Sequence, residues 1–189
     1  MKYILSVIGM IIFGIIAVIL FTRFATTNNQ TVQVGFETKH TTDFINNKSK
    51  VQYTRYGAIV ANEERRTLKI YVSENERVIE ILKGYNELVE KRQTFPNNPE
   101  SYNVFMHALD KEGFTRKKST KVDNPTGVCA NGSTFFYKLS ELGNEVTNLW
   151  NSSCQPLGGD LGNNGARIRS LFTNQIPNYS EFIRGVSFN

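Results

Sequence analysis

The hydrophobic positions are distributed unevenly, with one long apolar run near the N-terminus and short alternating runs after residue 50. Residues 3–22 form a stretch of 20 residues without a charge. As a helix this stretch is about 30 Å long, enough to cross a bilayer core. A cleaved signal peptide is the alternative, but its apolar region is usually about 7–15 residues, and Arg23 disfavours a cut after Ala25. We predict an uncleaved signal anchor over residues 1–23, with the N-terminus in the cytoplasm and the rest of the chain extracytoplasmic.

A polar segment follows the predicted anchor. Residues 24–50 are rich in Thr and Asn and contain few apolar side chains. Such a composition is typical of a spacer rather than a core, so we predict a polar tether. One strand remains open as an alternative, since Val32, Val34 and Phe36 alternate with polar residues.

From residue 51 onwards the apolar pattern predicts a folded domain, residues 51–189. Short β-branched and aromatic runs at residues 56–60, 67–72 and 77–82 predict a three-stranded antiparallel meander. A short helix over residues 86–92 is a weaker expectation. Further along, Phe182, Arg184 and Val186 alternate, which predicts a last strand that closes the sheet.

Two helices are predicted within this domain. Asn98 can cap the first, and Pro99 suits its first position. Its apolar side chains fall three and four residues apart on one stripe, and Gly113 ends it. The stripe consists of Tyr102, Phe105, Met106 and Leu109. The second helix has a stripe of Ile168, Leu171, Phe172 and Ile176 and ends at Pro177.

A hairpin with a covalent link is predicted between the two helices. Phe135, Tyr137 and Leu139 alternate before a turn near residues 143–144. Cys129 and Cys154 are the two cysteines of the chain and lie outside this hairpin on either side. An extracytoplasmic domain favours a disulfide between them over two free thiols. The overall expectation is an α+β fold, an antiparallel sheet with two helices packed on it.

Charge points to a candidate anion-binding site. The net charge is +5, but Lys2 and Arg23 belong to the anchor region, which leaves 20 Lys and Arg against 17 Asp and Glu. This small excess does not indicate nucleic-acid binding. A local cluster is more distinctive and predicts contact with anionic headgroups or an anionic envelope polymer, although a solvated loop is the common alternative. The cluster is Arg116, Lys117, Lys118 and Lys121.

The glycine-rich segment 158–165 precedes the second helix. Such a segment can hold an anion at a helix N-terminus, with Arg167 close by. A calcium loop through Asp160 and Asn163 is a weaker alternative, because too few acidic ligands are present. A plain flexible loop is the default interpretation.

Catalytic and metal-binding patterns are lacking in the sequence. The two histidines, His40 and His107, are not spaced with the cysteines for zinc, and His107 is expected on a helix surface. No nucleophile elbow or zinc-protease helix motif occurs. We therefore expect no catalytic residues, no metal and no cofactor.

Three segments, residues 98–114, 148–154 and 168–179, carry a resemblance. The last includes Leu171-Phe172 and the run Gln175-Ile176-Pro177-Asn178-Tyr179. They are similar to small single-pass proteins of ultrasmall candidate-phylum bacteria, and the resemblance implies a surface-anchored domain but no particular activity. The order of predicted elements also resembles the emfourin-type metalloprotease inhibitors.

Taken together, these features predict a membrane-anchored domain that binds a protein or an anionic polymer of the cell envelope. The first alternative is an extracytoplasmic protease inhibitor. The second is an enzyme whose site the sequence does not reveal. Exposed aromatic side chains beside a loop would favour the binding function, whereas a deep cleft that brings carboxylates to His107 would favour an enzyme.

Overall fold

The computed structural model of the chain describes residues 39–122, 124–154, 158–161 and 164–188. In these parts, none of the helices is both long and apolar enough to cross a membrane. The predicted anchor, residues 3–22, lies outside the described residues and stays a prediction. The same holds for the possible strand at residues 32–36.

The centre of the described fold is one antiparallel sheet of six strands, in the order β4-β3-β2-β1-β5-β6. The first four strands form a meander, and the hairpin of the last two adds to the free side of β1. The predicted α+β class with an antiparallel sheet is therefore confirmed. The strands are β1 (Ser49–Tyr56), β2 (Arg66–Ser73), β3 (Glu76–Lys83), β4 (Leu88–Pro96), β5 (Thr134–Glu141) and β6 (Asn144–Ser152).

Alternation along the strands gives the sheet two different faces. On one face, apolar side chains lie opposite each other across strands: Val51 pairs with Val72 and Leu139, and Tyr53 pairs with Tyr137. All five are buried in the core. The helices cover this face and contribute Tyr102, Phe105, Leu109, Ile168 and Phe172 to the same cluster. Each such side chain contributes about 1.5–3 kcal/mol through burial, so this face holds the domain together.

Helix α1 (Pro99–Lys111) begins and ends as predicted. The side chain of Asn98 accepts a hydrogen bond from the Ser101 backbone N–H at 2.8 Å, and Pro99 occupies the first turn. Its four stripe residues are buried, and the Tyr102 hydroxyl lies 2.7 Å from the Ser49 hydroxyl. Gly113 follows with a φ of 75°, a conformation that glycine adopts without strain.

The C-terminal region differs from the prediction. Helix α2 (Gly165–Thr173) is present, but the predicted last strand is wrong, because a short helix α3 (Tyr179–Phe182) occupies that region. Asn178 and Gly185 have φ values of 54° and 78°, which an extended strand cannot accommodate. Phe182 is buried against the helix-covered face instead of pairing in the sheet.

The first strand is shifted relative to its prediction. It was expected at residues 56–60, yet β1 ends at Tyr56. Gly57 lies so close to the C-terminal segment that a Cβ atom there would be 2.5 Å from the Phe188 carbonyl oxygen. The Ala58 backbone N–H donates to that same oxygen at 3.4 Å. The chain therefore leaves the sheet at Gly57 to pack against Phe188.

Strand β4 replaces the short helix expected over residues 86–92. Gly84 and Glu87 have positive φ values of 75° and 52° and make the turn from β3. Almost every residue of β4 is exposed, since it is the edge strand of the sheet. Backbone pairing with β3, rather than burial, holds it in place.

Residues of the predicted tether contact the domain. Thr41 is buried, and its backbone N–H donates to Asp110 of α1 at 2.9 Å. A 3-10 turn covers Thr41–Phe44, and Phe44 and Ile45 pack against the core. The boundary that the sequence predicts at residue 50 thus lies inside a segment that packs on the domain.

The predicted disulfide between Cys129 and Cys154 is present, with 5.6 Å between the two Cα atoms. It lies beyond the open end of the β5–β6 hairpin, as expected. The turn of that hairpin uses Leu142 and Gly143, which have positive φ values of 52° and 83°. Gly132 is required beside the bridge, because a Cβ atom there would be 2.7 Å from the Cys129 Sγ atom.

Candidate ligand-binding groove

The second face of the sheet, which we call the open face, is not covered by the helices. It carries polar and aromatic side chains at the alternate positions of β1, β2 and β5. Thr54 of β1 lies opposite Phe136 of β5, which in turn lies opposite Trp150 of β6. The loop between α1 and β5 lies over the end of this face near β5 and β6, where Lys117 and Pro125 line the same depression as Phe136 and Trp150.

A groove runs between this loop and the open face. It consists of two adjoining depressions of about 400 and 410 Å³ that share Phe136 and Pro125 as lining residues. The lysine end is lined by Lys117, Lys118, Asn148 and Trp150 as well. The arginine end adds Tyr56, Ile59, Arg65 and Tyr85. Both volumes fall in the range of small-molecule sites, which is about 300–1,000 Å³.

Asp160 holds the lysine end in place. One of its carboxylate oxygens accepts a hydrogen bond from the Trp150 backbone N–H at 2.6 Å, and the other lies 3.7 Å from the Lys117 ammonium group. Its backbone carbonyl accepts from the Lys118 N–H at 2.7 Å. The Leu161 N–H donates to the Trp150 carbonyl at 3.1 Å. This segment therefore covers the β6 edge and ties the basic loop to the sheet.

Burial changes the titration of Asp160. Only 3 % of the residue is exposed, and this burial raises the pKa of its carboxyl group above the ordinary value of 3.8. The hydrogen bond from the Trp150 N–H and the charge of Lys117 act in the opposite direction, since both stabilise the carboxylate. These two contacts thus offset part of the cost of burying the Asp160 carboxylate, and the carboxylate links β6 to the basic loop.

The arginine end is built around a stacked guanidinium group. The guanidinium carbon of Arg65 lies 4.4 Å from the ring centroid of Tyr85 and 5.4 Å from that of Tyr56. The Tyr85 hydroxyl donates to the Val60 carbonyl at 2.9 Å, which fixes the ring. Tyr56 makes an edge contact with Phe136, with 5.5 Å between centroids. Burial, aided by the nearby Glu87 carboxylate, raises the pKa of Tyr56 to about 12, so its ring stays neutral at physiological pH.

The structure separates the residues of the predicted anion-binding site. Arg116, Lys117, Lys118 and Lys121 are all exposed, and two of them, Lys117 and Lys118, line the groove. Lys117 also pairs with Asp160.

Arg167 does not line the groove. Its guanidinium group donates to the Glu112 carboxylate at 2.6 Å and to the Asn164 side chain at 2.9 Å. Asn163, which the calcium-loop alternative would use with Asp160, lies outside the described residues. Anion binding by the cluster and Arg167 stays a prediction.

No catalytic arrangement emerges from the described parts of the chain. His107 is exposed on α1, while His40 lies 3.4 Å from Asp110 near the surface. Within those parts, no group of three His, Cys, Asp or Glu side chains is placed to hold a metal ion. Exposed aromatic and aliphatic side chains beside loops are present instead, with Tyr85 50 % and Ile59 56 % exposed.

Sequence reasoning missed the arginine end completely. Arg65 lies between two predicted strands, and neither it nor Tyr85 belongs to a distinguishing pattern. The sequence does hold a signal, the density of Tyr and Arg side chains between residues 53 and 85. Only the folded structure places Arg65 and Phe136 on the same cavity. Comparisons with protein-family models and with curated proteins find no match.

Proposed function

We propose that this protein is a membrane-anchored, extracytoplasmic binding protein whose ligand is an anionic polymer of the cell envelope. Residues 3–22 would serve as its anchor. The disulfide supports an oxidising compartment for the domain, because such bridges persist mainly outside the cytosol. The polymer would lie in the groove on the open face.

One observation carries this proposal, namely that exposed lysines line an elongated groove with an aromatic wall. Lys118 is exposed, and Lys117 is held beside it by Asp160. Phe136 and Trp150 line the same depression. Cations beside aromatic surfaces suit polymers that alternate charged groups with flat or apolar surfaces. The Asp160 tether reduces the flexibility of the loop, which lowers the entropic cost of binding.

The test uses the full-length protein in nanodiscs of neutral lipid, with polyglutamate and inorganic polyphosphate as probes. The groove double variant, Lys118→Gln with Lys121→Gln, removes one exposed charge that lines the groove and one exposed charge from the same loop, and it leaves the Lys117–Asp160 pair intact. The matched control is Lys48→Gln with Lys83→Gln, two exposed lysines that do not line the groove. Binding is measured by fluorescence anisotropy of labelled probes at several salt concentrations.

We expect the wild type to bind at low salt and to lose affinity steeply as salt rises. The groove double variant should bind about tenfold more weakly, and the control should bind within about twofold of the wild type. Equal losses in both double variants would mean that only net charge matters, which contradicts the proposed site. Absence of binding at low salt would also contradict the proposal and would favour a protein partner.

A further inference from the structure

Arg65 has an unusual environment for a surface arginine. Its guanidinium group is held over the rings of Tyr56 and Tyr85, at 5.4 and 4.4 Å, and none of the described carboxylates forms an ion pair with it. The adjacent Arg66 shows the contrast, because its guanidinium group donates to the Glu90 carboxylate at 2.9 Å. The aromatic rings fix the plane of the Arg65 group and leave its N–H donors available to a ligand.

The space in front of Arg65 is largely apolar. The cavity measures about 410 Å³, and no acidic side chain lines it within the described residues. Ile59, Pro125 and Phe136 form much of its wall. Glu87, the nearest acid to Tyr56, is paired with the Lys69 ammonium group at 2.5 Å. A negative group that enters this cavity would therefore meet one fixed positive charge and no acidic side chain among the described lining residues.

These features narrow the chemistry of the ligand. A planar guanidinium group matches the two oxygens of a carboxylate, with which it forms two parallel hydrogen bonds. Arg65 is the only cation among the lining residues that the structure describes here, and one positive charge suits a monoanion better than a doubly charged phosphate. The apolar wall requires that the rest of the ligand be aromatic or aliphatic.

We propose that the arginine end of the groove binds a small carboxylate attached to an aromatic or branched apolar group. The carboxylate lies on the guanidinium group of Arg65, and the apolar group packs on Phe136 and Ile59. This site goes beyond the proposed polymer binding, since it uses the other end of the groove and needs none of the lysines. The two proposals can therefore fail independently.

The experiment titrates the full-length protein in nanodiscs with phenylacetate and follows saturation-transfer NMR signals of the ligand. Phenylacetamide has the same apolar group without the charge, and inorganic phosphate has the charge without the apolar group. The variants are Arg65→Gln, Arg65→Lys and Tyr85→Leu. The control is Arg184→Gln, an exposed arginine that does not line this cavity. Empty nanodiscs correct for partition of the ligand into lipid, and thermal melts verify that each variant is folded.

We expect phenylacetate to bind at least about tenfold more tightly than phenylacetamide or phosphate, because the charge-assisted pair and the apolar contact act together. Arg65→Gln should remove this preference, and Arg65→Lys should recover little of it, since lysine lacks the planar pair of donors. Tyr85→Leu should weaken phenylacetate several-fold while the fold stays intact. Arg184→Gln should leave binding unchanged.

Three results would overturn the proposal. The first is equal affinity for phenylacetate and phenylacetamide, which would remove the role of the carboxylate. The second is tighter binding of phosphate than of phenylacetate in an Arg65-dependent manner. The third is a folded Arg65→Gln variant that binds phenylacetate like the wild type. Loss of polyanion binding in the lysine variant, with phenylacetate binding retained, would leave this proposal standing.

Discussion

Substitution of Asp160 tests whether a hydrogen bond or an ion pair holds the basic loop on the sheet. Asp160→Ala removes the carboxylate oxygen that accepts a hydrogen bond from the buried Trp150 N–H at 2.6 Å in the native protein. An unsatisfied buried donor costs about 1–3 kcal/mol. The ion pair adds little, about 0–1 kcal/mol, because Lys117 is 71 % exposed. Asp160→Asn keeps an oxygen acceptor and should cost less than about 1 kcal/mol.

The assay is thermal denaturation followed by the fluorescence of Trp150, the one tryptophan of the chain. At about 2–4 °C per kcal/mol for a chain of this size, Asp160→Ala should lower the melting temperature by about 2–12 °C. Lys117→Ala serves as the control and should lie within about 1 kcal/mol of the wild type. If Asp160→Asn or Lys117→Ala were as damaging as Asp160→Ala, the hydrogen-bond explanation would be wrong.

The same carboxylate predicts a dependence on pH. The pKa of Asp160 is raised in the folded state, so the folded state binds this proton more readily than the unfolded state does. Its contribution to the free energy of unfolding therefore decreases as pH rises from about 3.8 through the folded pKa. The wild type should lose stability relative to the Asp160→Asn variant across that interval. A constant difference between the two proteins would contradict the raised pKa.

Two further substitutions test the packing of the same region. Gly159→Ala should destabilise the domain by about 2 kcal/mol or more in thermal melts, since its Cβ would lie 1.9 Å from the Trp150 carbonyl oxygen. The control Gly158→Ala should be neutral in the same melts, because its Cβ would have no atom within 4 Å. Cys154→Ser opens a bridge across a separation of 25 residues and should cost about 3–4 kcal/mol, seen as a fall of about 10 °C in melting temperature. Two alkylatable thiols in the unreduced native protein would contradict the bridge itself, and an unchanged melt would contradict only the energy.

Local signals explain which elements the sequence could predict. Helix α1 has its own cap in Asn98 and its own stripe, so both of its ends were recognisable. The hairpin and its disulfide were also predictable, because Phe135, Tyr137 and Leu139 alternate and the cysteines flank them. Strand β4 was missed because an exposed edge strand has no alternation between buried and solvated positions. Strand β4 forms because it pairs with β3, and the residues of β4 alone do not indicate that pairing.

Long-range contacts explain why the site was only partly predicted. The cluster around Lys117 was recognisable as a run of like charges. Its use of Asp160 as a tether was not, because the two residues are far apart in the chain and meet only over β6. The same reasoning applies to Arg65, which stacks on Tyr85 from a different turn and shares its cavity with Phe136 from a distant strand. Sequence patterns singled out the lysines at one end of the groove and none of its geometry.

The pairing of β1 also has a consequence for biosynthesis. Its partner on one side, β2, follows almost at once, whereas β5 pairs with it across separations of 78 to 92 residues. The meander can therefore form when Pro96 has been made, with the β1 edge still unpaired until Glu141 is available. At about 5–20 residues per second, that interval lasts about 2–9 s. An open strand edge beside an apolar face is a template for wrong pairing, so the nascent chain is most vulnerable to aggregation in these seconds.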